Sequence, residues 1–307
     1  MPILRINVVG ARKLVVDTDL PEVALGRAIA GNVDGASVLI MLHGYRYSPS
    51  QPRLSPHNFI LQDSPNDSWP HEMGYGEGTP DQGLCIAFGW EAGGTIWHAN
   101  REAGRSGLAL ADLIKQLSAL GAGPVNIMAH SLGARVALAA LSHLSPGMIG
   151  RMILMTGAEL RSTAEAALMT AAGRSVQVLN VISRENDIFD FLYEWLLVPH
   201  RLGARALGAG LTLPHCVTAQ IDNPDHLTGL RFLGFPIPIT TRRICHWSSY
   251  TRPGLFPLYR KFLASSGAID LADLRISLPV TLMQRWSRFL QRPLQPMPIP
   301  VQPMTVR

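Results

Sequence analysis

The chain has 307 residues, of which 47 % are hydrophobic and 16 % charged, with a formal net charge of +5. That balance excludes a disordered or fibrous chain and suits one large α/β domain or two smaller ones. No apolar run approaches ~18 residues, which argues against a transmembrane span, and the start Met1-Pro2-Ile3-Leu4-Arg5 lacks the basic-then-apolar pattern of a signal peptide. Three scattered cysteines, Cys85, Cys216 and Cys245, suggest neither a disulfide framework nor a zinc site. The expectation is a soluble, cytoplasmic protein without metal or cofactor.

The positive charge is concentrated at the end. Residues 251–307 hold eight Lys or Arg against Asp270 and Asp273, and only three of the 27 bases in the chain are lysine. This pattern fits a solvated basic face better than a nucleic-acid surface, so no nucleic-acid partner is expected.

In chain order, residues 3–9 and 13–17 flank Gly10 and suggest an opening hairpin. Residues 36–42 (ASVLIML) form a continuous apolar run ending in His43-Gly44, which suits a strand buried on both faces. Another short apolar run covers 85–88. Leu108, Ala111, Leu113, Ile114 and Leu117 have helical spacing, so a helix is expected over about 101–120 with Gly121 as its stop. Residues 125–129 predict a strand, and 131–144 a helix apolar nearly all round, as befits one buried against a sheet. Strands follow at 152–155 and 176–182 with a helix over 162–172 between them. A last helix is expected near 255–262. The alternation predicts a mostly parallel sheet flanked by helices, in a single domain over 1–291.

Two segments interrupt it. Residues 45–83 contain six prolines and little periodicity. Residues 188–215 are helical in pattern and rich in Phe189, Phe191, Leu192, Trp195, Leu196 and Leu197. Both leave strand ends, where the active-site loops of open α/β sheets gather. They are expected to act as cap-like insertions, with Tyr47, Trp69, Phe189 and Trp195 lining a substrate cleft. Residues 292–307 include five prolines and predict an extended tail.

The chemistry concentrates in Val125-Asn126-Ile127-Met128-Ala129-His130-Ser131-Leu132-Gly133-Ala134. Here an apolar strand passes into an apolar helix through a serine with small residues two places away on each side. Such a turn brings two backbones together and lifts the serine hydroxyl above the sheet at the positive end of a helix. Ala129 stands where the usual G-x-S-x-G motif has its first glycine. Ser131 is therefore the candidate nucleophile.

A serine needs a base, and an imidazole base needs a partner to hold its tautomer. The strand at 176–182 runs into Ser183-Arg184-Glu185-Asn186-Asp187-Ile188-Phe189-Asp190. Asp187 is the candidate acid, with Asp190 and Glu185 as competing choices. Among the histidines after Ser131, His246 precedes the last expected helix and is the candidate base, ahead of His143, His200, His215 and His226. The backbone N–H groups of Leu132 and Tyr45 are the candidate oxyanion donors.

The His43-Gly44-Tyr45 turn, the Phe88-Gly89-Trp90 strand end, the Asn100-Arg101-Glu102-Ala103 segment and the Ala129-His130-Ser131-Leu132-Gly133 elbow occur together and in order. This combination resembles the α/β-hydrolase superfamily, and within it a little-characterised bacterial family with an HGY turn and an A-H-S-[LM]-G elbow. The resemblance covers about residues 36–250. It implies an α/β-hydrolase fold and a Ser131–His246–Asp187 triad, and it leaves the substrate open. The proline-rich 45–83 stretch departs from the family pattern, in which a helix usually follows the turn. The expected activity is cleavage of a small-molecule carboxylic ester. A lipase or thioesterase acting on longer acyl chains, with contact to a lipid surface, is an alternative. A noncatalytic binding protein of the same fold is another. The sequence carries no signal for oligomeric state.

Overall fold

The computed structural model describes residues 3–10, 13–16, 21–31, 38–65, 68–77, 83–197, 203–264 and 267–290. The chain opens with β1 (Ile3–Val9) and β2 (Lys13–Val16), an antiparallel pair, followed by helix α1 (Pro21–Ala30). Next come β3 (Val38–Leu42), the one-turn helix α2 (Trp69–Glu72) and β4 (Leu84–Gly89). The long helix α3 (Ile96–Ala119) leads to β5 (Val125–His130) and α4 (Leu132–Ala140). Strand β6 (Ile149–Met155), helix α5 (Arg161–Leu168), β7 (Gln177–Ile182) and α6 (Asp187–Leu192) continue the alternation. A π-helical turn over Tyr193–Leu197 extends α6. The remaining elements are β8 (Cys216–Gln220), α7 (Pro224–Phe232), α8 (Ser248–Thr251), α9 (Leu255–Leu263), α10 (Leu271–Ser277) and α11 (Ser287–Leu290).

The eight strands form one sheet in the order β2-β1-β4-β3-β5-β6-β7-β8, and every pairing except β1 with β2 is parallel. Strands β3, β4 and β5 are buried at every position. That burial follows because helices must cover both faces of a parallel sheet, and the sequences suit it: β3 is apolar throughout, and in β5 only Asn126 and His130 are polar. One apolar cluster joins α1, α3 and α4 to one face, through residues such as Leu25, Leu110, Leu113, Ile114 and Val136. A second joins α7, α9 and α10 to the other, through Leu230, Leu258, Phe262 and Leu274. Burying each such side chain is worth about 1.5–3 kcal/mol.

The structure adds α1, α2, β8, α7, α8, α10 and α11 to the elements read from the sequence. Within the 45–83 segment Leu61, Trp69, Met73 and Tyr75 are buried in the second cluster, whereas Tyr45, Arg46 and Tyr47 border the cavity described below. The tail over 292–307 lies outside the described residues.

The chain order reverses at β3. Its sequence neighbour β4 lies on one side and β5 on the other, so the crevice beyond the carboxyl ends of β3 and β5 is the topological switch point of the sheet. The register pairs Leu42 with Ala129, and this sets the His43-Gly44 turn directly beside His130-Ser131.

Candidate active site

Ser131 adopts φ 53° and ψ −124°, a backbone conformation costly for any residue with a side chain. It caps α4 in position only, for its side chain makes no capping hydrogen bond. The surrounding structure fixes the strain. The Ser131 N–H donates to Met155 O at 3.1 Å, and Ser131 O accepts from the N–H groups of Ala134 and Ala158. A Cβ on Gly133 would stand 2.6 Å from Leu42 O, and one on Gly44 would stand 2.7 Å from the Ser131 Cβ. The small residues are therefore what let the β3 turn and the β5–α4 turn meet.

The freed hydroxyl meets an imidazole. Ser131 Oγ lies 2.9 Å from His246 Nε2, across 115 positions of sequence. His246 belongs to the loop before α8, and its backbone carbonyl accepts from His130 Nε2 at 3.1 Å and from Thr156 Oγ1 at 3.2 Å. The Cys245 N–H donates to Glu185 O, which ties this loop to the one after β7. The Phe189 ring stacks on the imidazole with centroids 4.5 Å apart. Burial and the neighbouring His130 hold the His246 pKa well below its ordinary 6.5, so the ring is neutral at pH 7 and free to accept a proton.

The group on the far side of the ring differs from the sequence expectation. His246 Nδ1 lies 2.6 Å from Asn186 Oδ1. Asp187, the expected acid, points elsewhere. Its carboxylate accepts from Arg184 Nη1 at 3.1 Å and from the Trp286 N–H at 2.6 Å. Successive helical residues are rotated by about 100°, so at the start of α6 a one-residue step turns the side chain from the histidine to the protein interior. Glu185 is also committed elsewhere, bonded to Arg252, Thr240 and Ser183. Asp190, one helical turn beyond Asn186 and on the same face, accepts from Asn186 Nδ2 at 3.0 Å. No sequence signal distinguished Asn186 from its acidic neighbours.

A cavity of about 520 Å³ opens above Ser131, within the range of small-molecule sites. Tyr45, Arg46 and Tyr47 line one side, and Phe189, Leu192, Tyr193, Leu196 and Leu197 the other. Tyr47 and Phe189 thus border the cavity as expected. Trp69 does not. It is 2 % exposed and packs behind the site against His130 and Tyr250. Trp195 is 61 % exposed and lies outside the lining, its ring tilted against Phe191 with centroids 5.7 Å apart.

Leu132 is the first residue of α4, and its N–H has no acceptor within the helix. Tyr45 follows Gly44 at the edge of the same cavity, and its hydroxyl donates to Gly94 O at 2.7 Å. His43 serves a structural role: the Trp90 N–H donates to its Nε2, and its ring stacks on Trp90. Among the described residues, no group of three or more His, Cys, Asp or Glu is arranged to hold a metal ion. No described helix is long and apolar enough to cross a membrane.

The sheet order, the strained serine after β5 and the histidine before α8 define an α/β-hydrolase fold. In agreement, residues 24–154 match the model of a family described as alpha/beta hydrolase of unknown function (DUF900). That match contains Gly44 and Ser131 and ends before Asn186 and His246. Among solved structures, lipase B of Aspergillus fumigatus is similar with a TM-score of 0.45 and 12 % identity, over 85 % of this chain. The chain covers 62 % of that protein's length. No curated protein matches the chain.

Proposed function

We propose that the protein is a serine hydrolase that cleaves a carboxylic ester through an acyl-enzyme. The observation that carries this reading is the 2.9 Å contact between Ser131 Oγ and a neutral His246 Nε2, with the serine held in a conformation that only a close-packed turn sustains. Ser131 Oγ attacks the ester carbonyl carbon while its proton passes to His246 Nε2. The carbonyl oxygen becomes an oxyanion, held by the N–H groups of Leu132 and Tyr45, each worth roughly 3–4 kcal/mol in comparable sites. Collapse breaks the bond to the alcohol oxygen, which leaves with the proton from Nε2. Water then repeats the sequence on the acyl-enzyme and releases the carboxylic acid.

Asn186 takes the place expected for Asp187. Its carbonyl oxygen accepts the Nδ1–H of His246, so Nε2 carries the lone pair that the serine proton needs. The aliphatic side chains of Leu192, Leu196 and Leu197 along the cavity favour an acyl or alcohol group of some length over a charged one. A p-nitrophenyl ester series from acetate to palmitate tests the reading. Hydrolysis by the wild type and its loss in Ser131→Ala, with the protein still folded, is the expected result. No hydrolysis at any chain length would instead favour a binding protein.

A further inference from the structure

The buried carboxyl of Asp190 faces the site and has no role in the steps above. Asp190 is 6 % exposed, and its Oδ1 accepts from Asn186 Nδ2 at 3.0 Å. Its Oδ2 packs against Gly208 so closely that a Cβ there would come within 2.0 Å. The charged groups around it are already paired. Asp187 bonds Arg184 at 3.1 Å, and Arg184 also donates to Gly208 O. Glu194 pairs with Arg285 at 2.7 Å and faces Arg205 at 3.6 Å. Among the described residues, no cation forms an ion pair with Asp190.

We propose that Asp190 is a positioning residue that acts through Asn186: its ionised carboxylate orients the amide and thereby selects the His246 tautomer. This inference rests on the hydrolase reading above. An amide has two chemically different ends, and either could face the histidine. A carboxylate only accepts, so it takes the Asn186 NH₂ and turns the amide oxygen toward Nδ1. His246 is then protonated on Nδ1, and Nε2 accepts from Ser131. A protonated Asp190 donates instead, to the amide oxygen. The NH₂ would then face Nδ1, leaving the proton on Nε2 and the serine without a base. The chain Ser131–His246–Asn186–Asp190 thus places the carboxylate one residue further from the imidazole than a direct acid would.

Burial is the largest influence on Asp190 and raises its pKa from 3.8 to about 7, with Asp187 adding to the rise and Arg285 and Arg184 opposing it. The His246 pKa lies well below 6.5. An acid limb near pH 7 in kcat/KM would therefore report Asp190 and not the base.

The test compares wild type, Asp190→Asn and the exchange variant Asn186→Asp/Asp190→Asn, using kcat, KM and pH profiles on a p-nitrophenyl ester. The His246 tautomer is read in parallel from imidazole ¹⁵N shifts, which need no substrate. Asp190→Asn is expected to lower kcat at least about tenfold with KM little changed, to lose the limb near pH 7 and to give mixed tautomers. The exchange variant restores a carboxylate on Nδ1 and is expected to recover activity and the Nδ1–H tautomer. An Asp190→Asn protein with wild-type kcat, pH profile and tautomer would overturn the proposal. So would an exchange variant that folds but recovers neither readout, for then Asp190 is only structural. Failure of the hydrolase reading itself appears separately, as ester hydrolysis that survives Ser131→Ala or is absent from the wild type. The tautomer readout still decides the role of Asp190 in either case.

Discussion

Gly44 and Ser131 sit on different turns, yet a Cβ on the glycine would lie 2.7 Å from the Cβ of the serine. The pairing of Leu42 with Ala129 imposes that approach, and with it the position of the Tyr45 N–H relative to the serine. In Gly44→Ala the two turns must separate by several tenths of an ångström. A misplacement of about 1 Å can cost about a hundredfold, so a shift of several tenths of an ångström at the serine or its oxyanion donor is worth about tenfold. We expect kcat to fall by that order while the unfolding midpoint shifts only modestly. Steady-state kinetics beside thermal unfolding checks both.

Asp187 separates stability from chemistry. Its carboxylate is fully buried against Arg184 and the Trp286 N–H, away from His246. Asp187→Asn leaves a buried guanidinium without its counter-charge, a loss of about 3 kcal/mol. Urea unfolding should register that loss, whereas kcat per folded molecule should stay close to wild type. A selective collapse of kcat would return the acid role to Asp187.

The aromatic residues of α6 and its π-helical extension divide into two groups. Phe189 stacks on His246 and borders the cavity, and Trp195 faces solvent. Phe189→Ala should lower kcat and alter the preference for acyl length. Trp195→Ala should leave kcat, KM and thermal stability near wild type, as measured on the same ester series.

The pH dependence of stability has two opposed contributions. Burial lowers the pKa of His43 to about 3 and that of His130 to about 4, so both bind protons more weakly when folded. The stability they provide is complete above pH 6.5 and is lost as pH falls toward those values. Asp190, raised from 3.8 to about 7, works the other way, and its contribution is lost as pH rises through 7. Urea midpoints should therefore drop between pH 6.5 and 4. Asp190→Asn should raise the midpoint at pH 8 more than at pH 5.

Much of this arrangement was legible in the residues. A continuous apolar run marked β3, apolar-rich segments marked β5 and β7, and the serine between Ala129 and Gly133 marked the strand-to-helix turn. His246 stood out by its place before a helix of clear period. What stayed hidden depended on rotation and packing. Asn186 and Asp187 are adjacent in sequence, and only the phase of α6 decides which one faces the imidazole. Strand β8 reads Cys-Val-Thr-Ala-Gln, too short and mixed to stand out, although Asn223-Pro224 is a usable start signal for α7. Trp69 resembled a cleft residue because it lies in an irregular stretch, yet its ring fills the space behind His130.

Covalent labelling tests the central claim most directly. The protein is treated with a fluorophosphonate, and the adduct is located by intact mass and peptide mapping. We expect a single adduct on Ser131, absent from Ser131→Ala and formed much more slowly in His246→Gln. Labelling at another residue, or none on the folded wild-type protein, would contradict the assignment of Ser131 as nucleophile and His246 as its base.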